Sequence, residues 1–149
     1  MTADAPSVQY TWRLRSLEYE GFPLHVRWPS GLDYDALAAH FPKLVVLSHV
    51  FSFRRFDGSP EPTYNDTLET LDVAVTSSFK SDGLGQIVLV ETFGGKRNYY
   101  FYVASSVDGA TFCGALQRQF GGCNFEVTAR DDASWTFIRK YRADYLDGA

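Results

Sequence analysis

Three side chains of this sequence combine chemical reactivity with an unusual setting: Glu91, His49 and Arg97. Glu91 and His49 stand inside apolar, β-branched runs, and Arg97 follows a glycine pair. A carboxylate in such a run must face water, pair with a cation or change its pKa. A pocket that gathers these three side chains could bind a small ligand or support acid–base catalysis. The simpler interpretations are a cross-strand ion pair for Glu91 and a structural role for His49.

The remaining polar residues do not suggest covalent catalysis or metal chemistry. Ser48 and His49 are adjacent, but a catalytic triad needs its members to converge in space with an oriented base. No two histidines share a metal-ligand spacing, and Cys113 and Cys123 have no histidine or carboxylate partner near them in the sequence. We therefore predict no catalytic residue, no metal and no cofactor, and we expect two free thiols.

The segment RNYYFYV at residues 97–103 is rich in aromatic side chains. RNA-recognition motifs carry basic and aromatic residues on a comparable strand, where exposed rings stack on bases. Here Tyr100 replaces a small residue of that signature, and a net charge of −4 disfavours binding to nucleic acid. An RNA-binding surface is therefore kept as a second alternative. Tyr99, Tyr100 and Tyr102 are better suited to a protein interface or to cross-strand packing.

Positive charge also marks the N-terminal strands, at Arg13, Arg15 and Arg27. Arg13 and Arg15 share one face of their strand because side chains alternate with a period of two, and Trp28 lies on the next strand. Together with nearby tyrosines, these residues could bind an anion or an acidic partner. The simpler interpretation is a set of solvated charges that protect edge strands from aggregation.

Length and composition indicate one compact domain, since 149 residues with 45% hydrophobic content can bury one sizeable core. The polar N-terminus lacks an apolar signal core, and no apolar run has the length needed to span a bilayer. We therefore expect a cytoplasmic protein that does not contact the membrane.

Turn and periodicity signals divide the chain into four parts. These are a flexible lead at 1–7, a β-hairpin with a short helix at 8–43, a core at 44–129 and a C-terminal helix at 131–146. Within the core the element order is β-α-β-β-α-β, which is typical of the α+β ferredoxin-like fold. Right-handed crossovers should place both helices on the same face of a four-stranded antiparallel sheet.

Local signals support these elements. Gly94 and Gly95 separate two β-rich runs, which predicts a tight hairpin turn. Asp131 or Asp132 is the expected N-cap of the C-terminal helix. A first core helix of about four turns is expected from an apolar stripe at helical spacing: Leu68, Leu71, Val75 and Phe79. The second core helix is expected to carry Phe112, Ala115, Leu116 and Phe120. The C-terminal helix is expected to carry Trp135, Ile138, Tyr141 and Tyr145 on one side.

The core strands do not alternate between apolar and polar residues, as an open sheet with one solvated face would require. Residues 44–47 and 87–90 are consecutively apolar. Both faces of the sheet therefore need cover. The N-terminal strands, the last helix or a second subunit could supply it, so a homodimer is one hypothesis.

Four segments of the sequence carry a likeness to a known family: FPKLVVLS at residues 41–48, the acidic helix around residues 69–72, VETFGGKR at 90–97 with the aromatic strand after it, and DASW at 132–135. These segments resemble a bacterial domain-of-unknown-function family, number 695. The resemblance covers nearly the whole chain. Some family members look fused to a domain that resembles the regulators of RNase E, which are small, acidic and ferredoxin-like and act by protein contact. The resemblance implies a regulatory or binding domain and implies no catalytic motif.

The sequence thus predicts a single α+β domain that works by contact with another protein. The first alternative is a ligand-binding domain or an enzyme with a pocket near Glu91, His49 and Arg97. A pocket that converges on Glu91 and His49 would favour this alternative, whereas an exposed aromatic patch would favour a protein partner.

Overall fold

The computed structural model describes residues 10–147, an α+β arrangement of one open, six-stranded sheet and five α-helices. The predicted lead at 1–7 lies outside the described residues. The strands are Thr11–Tyr19 (β1), Phe22–Ser30 (β2), Lys43–Val50 (β3), Gly85–Phe93 (β4), Lys96–Val103 (β5) and Asn124–Asp131 (β6). The helices are Tyr34–Ala38 (α1), Pro62–Asp66 (α2), Glu69–Thr76 (α3), Gly109–Gln119 (α4) and Thr136–Tyr141 (α5), followed by a π-helical turn at Arg142–Leu146.

Every neighbouring pair of strands in the sheet is antiparallel, and the order across it is β1-β2-β4-β5-β3-β6. The N-terminal hairpin does not cover a face of the sheet, because β2 pairs with β4 and extends the sheet sideways. The six-stranded order therefore differs from that of an isolated four-stranded ferredoxin-like sheet.

Two hydrophobic clusters occupy opposite faces of this sheet. On one face, α3 and α4 pack on alternate residues of β3 and β5, and Phe79 and Phe120 both join this cluster. On the other face, α1, α5 and the π-helical turn pack against β2 and β4. We call these the crossover-helix face and the C-terminal face. Because each face is covered from within the chain, the apolar runs need no second subunit to bury them.

The hairpin between β4 and β5 turns at the glycine pair, as the sequence predicts. Gly94 and Gly95 have φ angles of 63° and 84°, and Phe93 pairs directly with Lys96. Two consecutive positive φ angles match the twist of a two-residue hairpin turn, and glycine adopts them without a Cβ clash.

A β-bulge explains the uninterrupted apolar run of β4. The register with β5 shifts between Ile87 and Leu89, so Val88 has no partner of its own. Ile87 and Val90 pack on the crossover-helix face, while Val88 and Leu89 both pack on the C-terminal face. One extra residue thus lets four consecutive apolar side chains become buried.

The first core helix is shorter than predicted. Helix α3 spans eight residues and ends at Thr76, and α2 forms a separate turn in a region expected to be partly loop. The hydroxyls of Thr76 and Ser78 donate to backbone carbonyls four residues earlier, an arrangement that competes with regular helix geometry. Phe79 has a φ of 69°, and its ring still packs on Phe101 at a centroid distance of 5.4 Å. The apolar stripe was therefore correct, although the helix length was wrong.

The C-terminal helix begins later than the predicted residue 131 and ends differently. Helix α5 starts at Thr136, and Trp135, with a φ of 57° and no side-chain cap hydrogen bond, occupies the N-cap position. The carboxylate of Asp132 accepts hydrogen bonds from the backbone N–H groups of Thr136 and Phe137, so this aspartate satisfies the first N–H groups of the helix from outside it. Beyond Tyr141 the chain forms a π-helical turn, which takes more residues per turn than an α-helix. Leu146 therefore occupies the buried position predicted for Tyr145.

Candidate functional site

The tyrosine hydroxyls of β5 all bond to carboxylates inside the fold. Tyr99 donates to Asp72 at 2.8 Å on the crossover-helix face. Tyr100 donates to Glu91 at 3.2 Å, and Tyr102 donates to Asp132 at 2.7 Å, both on the C-terminal face. Burial, followed by the neighbouring carboxylate, raises the pKa of each of the three phenols.

These rings are not available as a stacking platform for bases. Tyr99 and Tyr102 are fully buried, and Tyr102 stacks on Trp135 at a centroid distance of 4.2 Å. Tyr100 is half-buried and stacks on Phe137 at 4.8 Å. The exposed aromatic patch that a partner could use therefore does not lie on this strand.

Glu91 is held by neutral donors. Its Oε1 accepts from Asn98 at 3.0 Å and from Tyr100, and its Oε2 accepts from Tyr141 at 2.9 Å. The predicted ion pair with a cation is wrong, since the neighbouring Arg97 points to the opposite face of the sheet and bonds to Thr92. Three donors on one carboxylate make this a closed arrangement.

His49 is fully buried on the crossover-helix face. Its ring lies 5.5 Å from those of Phe51 and Phe125, measured between centroids. Burial and the nearby Arg97 charge lower the pKa of the imidazole to about 4, so the ring is neutral at physiological pH. Nε2 lies 3.5 Å from the hydroxyl of Tyr64, and Nδ1 has no hydrogen-bond partner within residues 10–147.

The three reactive side chains of the sequence therefore do not converge. His49 and Arg97 are opposite each other on β3 and β5 and share one face, whereas Glu91 lies on the other face. No single pocket can include all three. The structure instead combines Arg97 with two residues that are distant in the sequence.

That combination is a salt-bridged cluster in the wall of a cleft. Arg27 of β2 binds Asp72 of α3 through two hydrogen bonds, at 2.6 and 3.0 Å. Arg97 of β5 approaches the same carboxylate at 3.8 Å. The bidentate pairing fixes the planar guanidinium of Arg27 in place. We call the surrounding cavity of about 490 Å³ the arginine cleft, and its lining residues are Arg27, Asn65, Asp66, Leu68, Glu69, Asp72 and Arg97.

A second cavity, of about 620 Å³, lies between the tip of the β1–β2 hairpin and the loop that follows β3. We call it the phenylalanine groove. It is lined by Glu20, Phe22, Arg54, Arg55, Phe56, Asp57, Gly58, Phe93 and Gly94. Phe56 is 97% exposed and Phe22 is 45% exposed, and among residues 10–147 the only other exposed Phe, Tyr or Trp side chains are Tyr19 and Phe53.

The loop that carries Phe56 is anchored to the central hairpin. Phe51 donates its N–H to the carbonyl of Gly95 at 2.9 Å, and Gly95 donates to the carbonyl of Gly58 at 2.8 Å. A Cβ at Gly58 would lie 2.9 Å from the backbone Cα of Gly94, so Gly58 requires glycine for the close approach as well as for its φ of 87°. The loop is thereby held against the turn.

The N-terminal candidates have separate roles. Trp28 is buried on the C-terminal face, and Arg13, its register partner, is exposed on the edge strand β1. Arg15 donates to the carbonyl of Tyr145 at 2.6 Å. Of the three N-terminal arginines, Arg27 alone lines one of the two cavities described above.

Sequence reasoning missed Asp72 and Phe56. Asp72 lies in an acidic first turn of α3, where a carboxylate is common and its partner cannot be recognised. The sequence does contain a signal for Phe56. A large apolar residue between Arg55 and Asp57, in a loop with glycine and proline, is expected to be exposed.

The family model described as Family of unknown function (DUF695) matches residues 10–141, so the chain belongs to this family. No curated protein and no solved structure matches the chain. Among residues 10–147, no helix has the length and apolar character to cross a membrane, and no three potential metal ligands from His, Cys, Asp or Glu form a group. Cys113 and Cys123 are free thiols, as predicted.

Proposed function

We propose that this protein is a non-enzymatic binding module that docks a segment of another protein in the phenylalanine groove. The segment carries an apolar side chain next to carboxylates. The observation that carries the proposal is the exposure of Phe56 on an anchored loop. A fully exposed phenylalanine adds nothing to the packing of this fold, whereas partner binding would bury it.

Hydrophobic contact would come from three rings at the groove. Phe22 of the β1–β2 hairpin and Phe56 of the loop after β3 are exposed, and Phe93 of β4 is half-buried. Phe93 also packs against Tyr19 at a centroid distance of 5.6 Å. Aromatic side chains in a concave surface are the residues that most often dominate protein interfaces.

Charge supports an acidic partner. Arg54 and Arg55 border the groove, and neither forms an ion pair within the described part of the chain. The carboxylate of Asp57 is engaged by the backbone N–H and the hydroxyl of Ser59, which also lower its pKa. Unpaired arginines beside exposed rings fit a segment with carboxylates next to its apolar anchor.

The fold proposal is more specific than the α+β class. We propose that the inner strands form a ferredoxin-like core. The order β4-β5-β3-β6 and the packing of α3 and α4 on one face support this assignment. The hairpin of β1 and β2 then extends the core at β4 and contributes one wall of the groove. The bacterial, cytoplasmic setting expected from the sequence is part of the same proposal.

Selection from a random peptide library displayed on phage tests the docking site directly. We expect the enriched peptides to combine carboxylates with an aromatic or large aliphatic residue. Binding of a synthetic enriched peptide should fall by roughly tenfold or more for Phe56→Ala and several-fold for Arg55→Glu, by analogy with interface anchors. The matched control is Val73→Ala, which truncates an exposed apolar residue on α3 outside the groove.

Three results would overturn the proposal: no enriched motif, enrichment without carboxylates, or peptide affinity that does not change in Phe56→Ala. Sedimentation of the purified protein addresses a second copy as the occupant. A dimer that Phe56→Ala dissociates would assign the groove to self-association and would contradict a heterologous partner. Phe56→Ala should leave the free energy of unfolding within about 0.5 kcal/mol, because an exposed side chain contributes little to stability.

A further inference from the structure

From the charges of the arginine cleft we infer that it binds a small zwitterion, a molecule that carries a carboxylate and an ammonium group. This site shares no residue with the phenylalanine groove and does not depend on it. Its volume of about 490 Å³ falls in the range of about 300–1,000 Å³ that is usual for small-molecule sites.

The inner wall of the cleft carries one positive charge in excess. Asp72 is satisfied by two hydrogen bonds from Arg27 and one from the hydroxyl of Tyr99. Arg97 reaches this carboxylate only at 3.8 Å, beyond hydrogen-bond distance, and its side chain is 14% exposed. A largely buried cation with a distant counter-ion is costly, so a ligand carboxylate beside Arg97 would be stabilised.

The other hydrogen bonds of Arg97 hold its guanidinium at the cleft. Its Nε donates to the hydroxyl of Thr92 at 2.9 Å, and one Nη donates to the side chain of Asn65 at 3.1 Å. The ring of Phe51 lies beneath the guanidinium at 5.6 Å. The second Nη carries N–H groups that make no hydrogen bond within residues 10–147, and these can bind a ligand oxygen.

His49 adds no charge beside Arg97. The imidazole lies opposite Arg97 in the register of β3 and β5, and it is neutral because it is buried beside that charge. A neutral neighbour neither compensates the guanidinium nor competes with an anion. Arg97 lines the cleft and is the ligand contact, whereas His49 lies beside it in the core and does not line the cleft.

The outer wall carries the opposite sign. Asp66 and Glu69 line the cleft from the helix side, are exposed, and form no ion pair within the described residues. Two carboxylates facing one uncompensated guanidinium across a cleft match a molecule with charges of both signs. An anion alone would meet repulsion from this wall, and a cation alone would meet it from Arg97.

Calorimetric titration with matched probes tests this inference. The probes are β-alanine, γ-aminobutyrate and ε-aminocaproate, which differ in the separation of their charges, with butyrate and butylamine as single-charge analogues. We expect at least one amino acid to bind more tightly than both analogues. Its affinity should fall as salt rises, because both of its contacts are ionic.

Single variants test how much each wall of the cleft contributes to binding of the zwitterion. Arg97→Gln should weaken the zwitterion roughly tenfold or more, as expected for loss of a hydrogen bond between charged groups. Glu69→Gln should weaken it roughly two- to fivefold, the usual range for an exposed ion pair, and should not weaken butyrate. Glu126→Gln, which removes an exposed carboxylate on β6 outside the cleft, is the matched control.

Because Glu69 is exposed, its variant tests the site even if Arg97→Gln does not fold. The inference is overturned if none of the amino acids binds at millimolar concentration. It is also overturned if butyrate binds as tightly as they do, since the cleft would then be a simple anion site. Unchanged zwitterion affinity in the double variant Asp66→Asn with Glu69→Gln would equally contradict it.

Discussion

Two carboxylates on opposite faces of the same sheet have contrasting surroundings. Glu91, on the C-terminal face, accepts hydrogen bonds from an asparagine and two tyrosines, which are all neutral donors. Asp72, on the crossover-helix face, is bound by Arg27 through two charged hydrogen bonds and lines an open cleft. Both also bond to a tyrosine of β5, so the strand supplies the same donor to each.

The difference indicates which face is available for ligand chemistry. The three donors around Glu91 are neutral, so the groups that bind this carboxylate add no positive charge for a ligand to bind. Arginines around Asp72 leave a net positive charge beside a cavity, which a ligand can reach. Both carboxylates are partly buried and accept three hydrogen bonds, so the charge of the donors, and not their number, separates the structural carboxylate from the one that lines a cleft.

Removing the indole ring of the C-terminal face should have the largest effect on stability. Trp135 is fully buried, stacks on Tyr102 and donates from Nε1 to the carbonyl of Phe41 at 2.8 Å. We expect Trp135→Ala to lower the free energy of unfolding by about 3–5 kcal/mol in urea denaturation. Leu14→Ala on the exposed edge strand is the control and should cost less than about 0.5 kcal/mol. An equal loss in the two variants would contradict the closed packing of this face.

The second largest loss of stability is expected from the salt-bridged carboxylate of Asp72. Asp72→Asn leaves Arg27 and Arg97 facing each other without a counter-ion, and we expect a loss of about 2 kcal/mol in the free energy of unfolding. Added salt should reduce this loss, because the cleft is open and the remaining repulsion is screened. The control is Asp35→Asn. This variant removes a carboxylate that is 89% exposed and pairs with Arg139. An equal loss in Asp35→Asn would show that the salt bridge of Asp72 contributes no more to stability than an exposed one.

The buried histidine should make stability depend on pH. The pKa of His49 is about 4 in the folded protein against 6.5 as its ordinary value, so only the unfolded chain takes up a proton between these pH values. Stability is therefore full above pH 6.5 and should fall by roughly 2 kcal/mol as the pH approaches 4. His49→Phe should lack this component in urea titrations across that range, and His25→Gln, an exposed histidine variant, should retain it. If the free energy of unfolding changed with pH in the same way in wild type and His49→Phe, His49 would not be the source of the pH dependence.

The smallest loss of stability is expected at Glu91, whose three hydrogen-bond donors are neutral. Glu91→Gln keeps one oxygen that can accept from Asn98 and Tyr100, and it places an amide donor against the hydroxyl of Tyr141. We expect a loss of about 1 kcal/mol in the free energy of unfolding. This loss should not change with salt, since all three partners of Glu91 are neutral. Salt dependence as strong as that of Asp72→Asn would remove the contrast between the two faces.

Sequence reasoning was accurate where a local signal decides the structure. The glycine pair predicted the central hairpin turn, and the register of β4 and β5 places Asn98 opposite Glu91. Asp132, one of the two aspartates expected to cap the C-terminal helix, bonds to its first N–H groups, although the helix begins only at Thr136. These features depend on a few neighbouring residues and on backbone preferences that act over one turn.

The candidate sites could not be predicted in the same way. Arg27, Asp72 and Arg97 lie on three elements far apart in the sequence, and their contact depends on how β2 joins the sheet and where α3 crosses it. Grouping Glu91 with His49 was wrong for a related reason. Each belongs to a different strand, and the face that each side chain occupies depends on the pairing register.

The sequence by itself determined the α+β class, the central hairpin and the need to cover both faces of the sheet. These follow from glycine conformation and from apolar runs whose burial is favourable in any arrangement. The tertiary structure alone decided which carboxylate is enclosed by neutral donors and which meets arginines beside an open cleft. The physical reason is that electrostatic and hydrogen-bond environments arise from side chains that meet only after the strands have paired and the helices have packed.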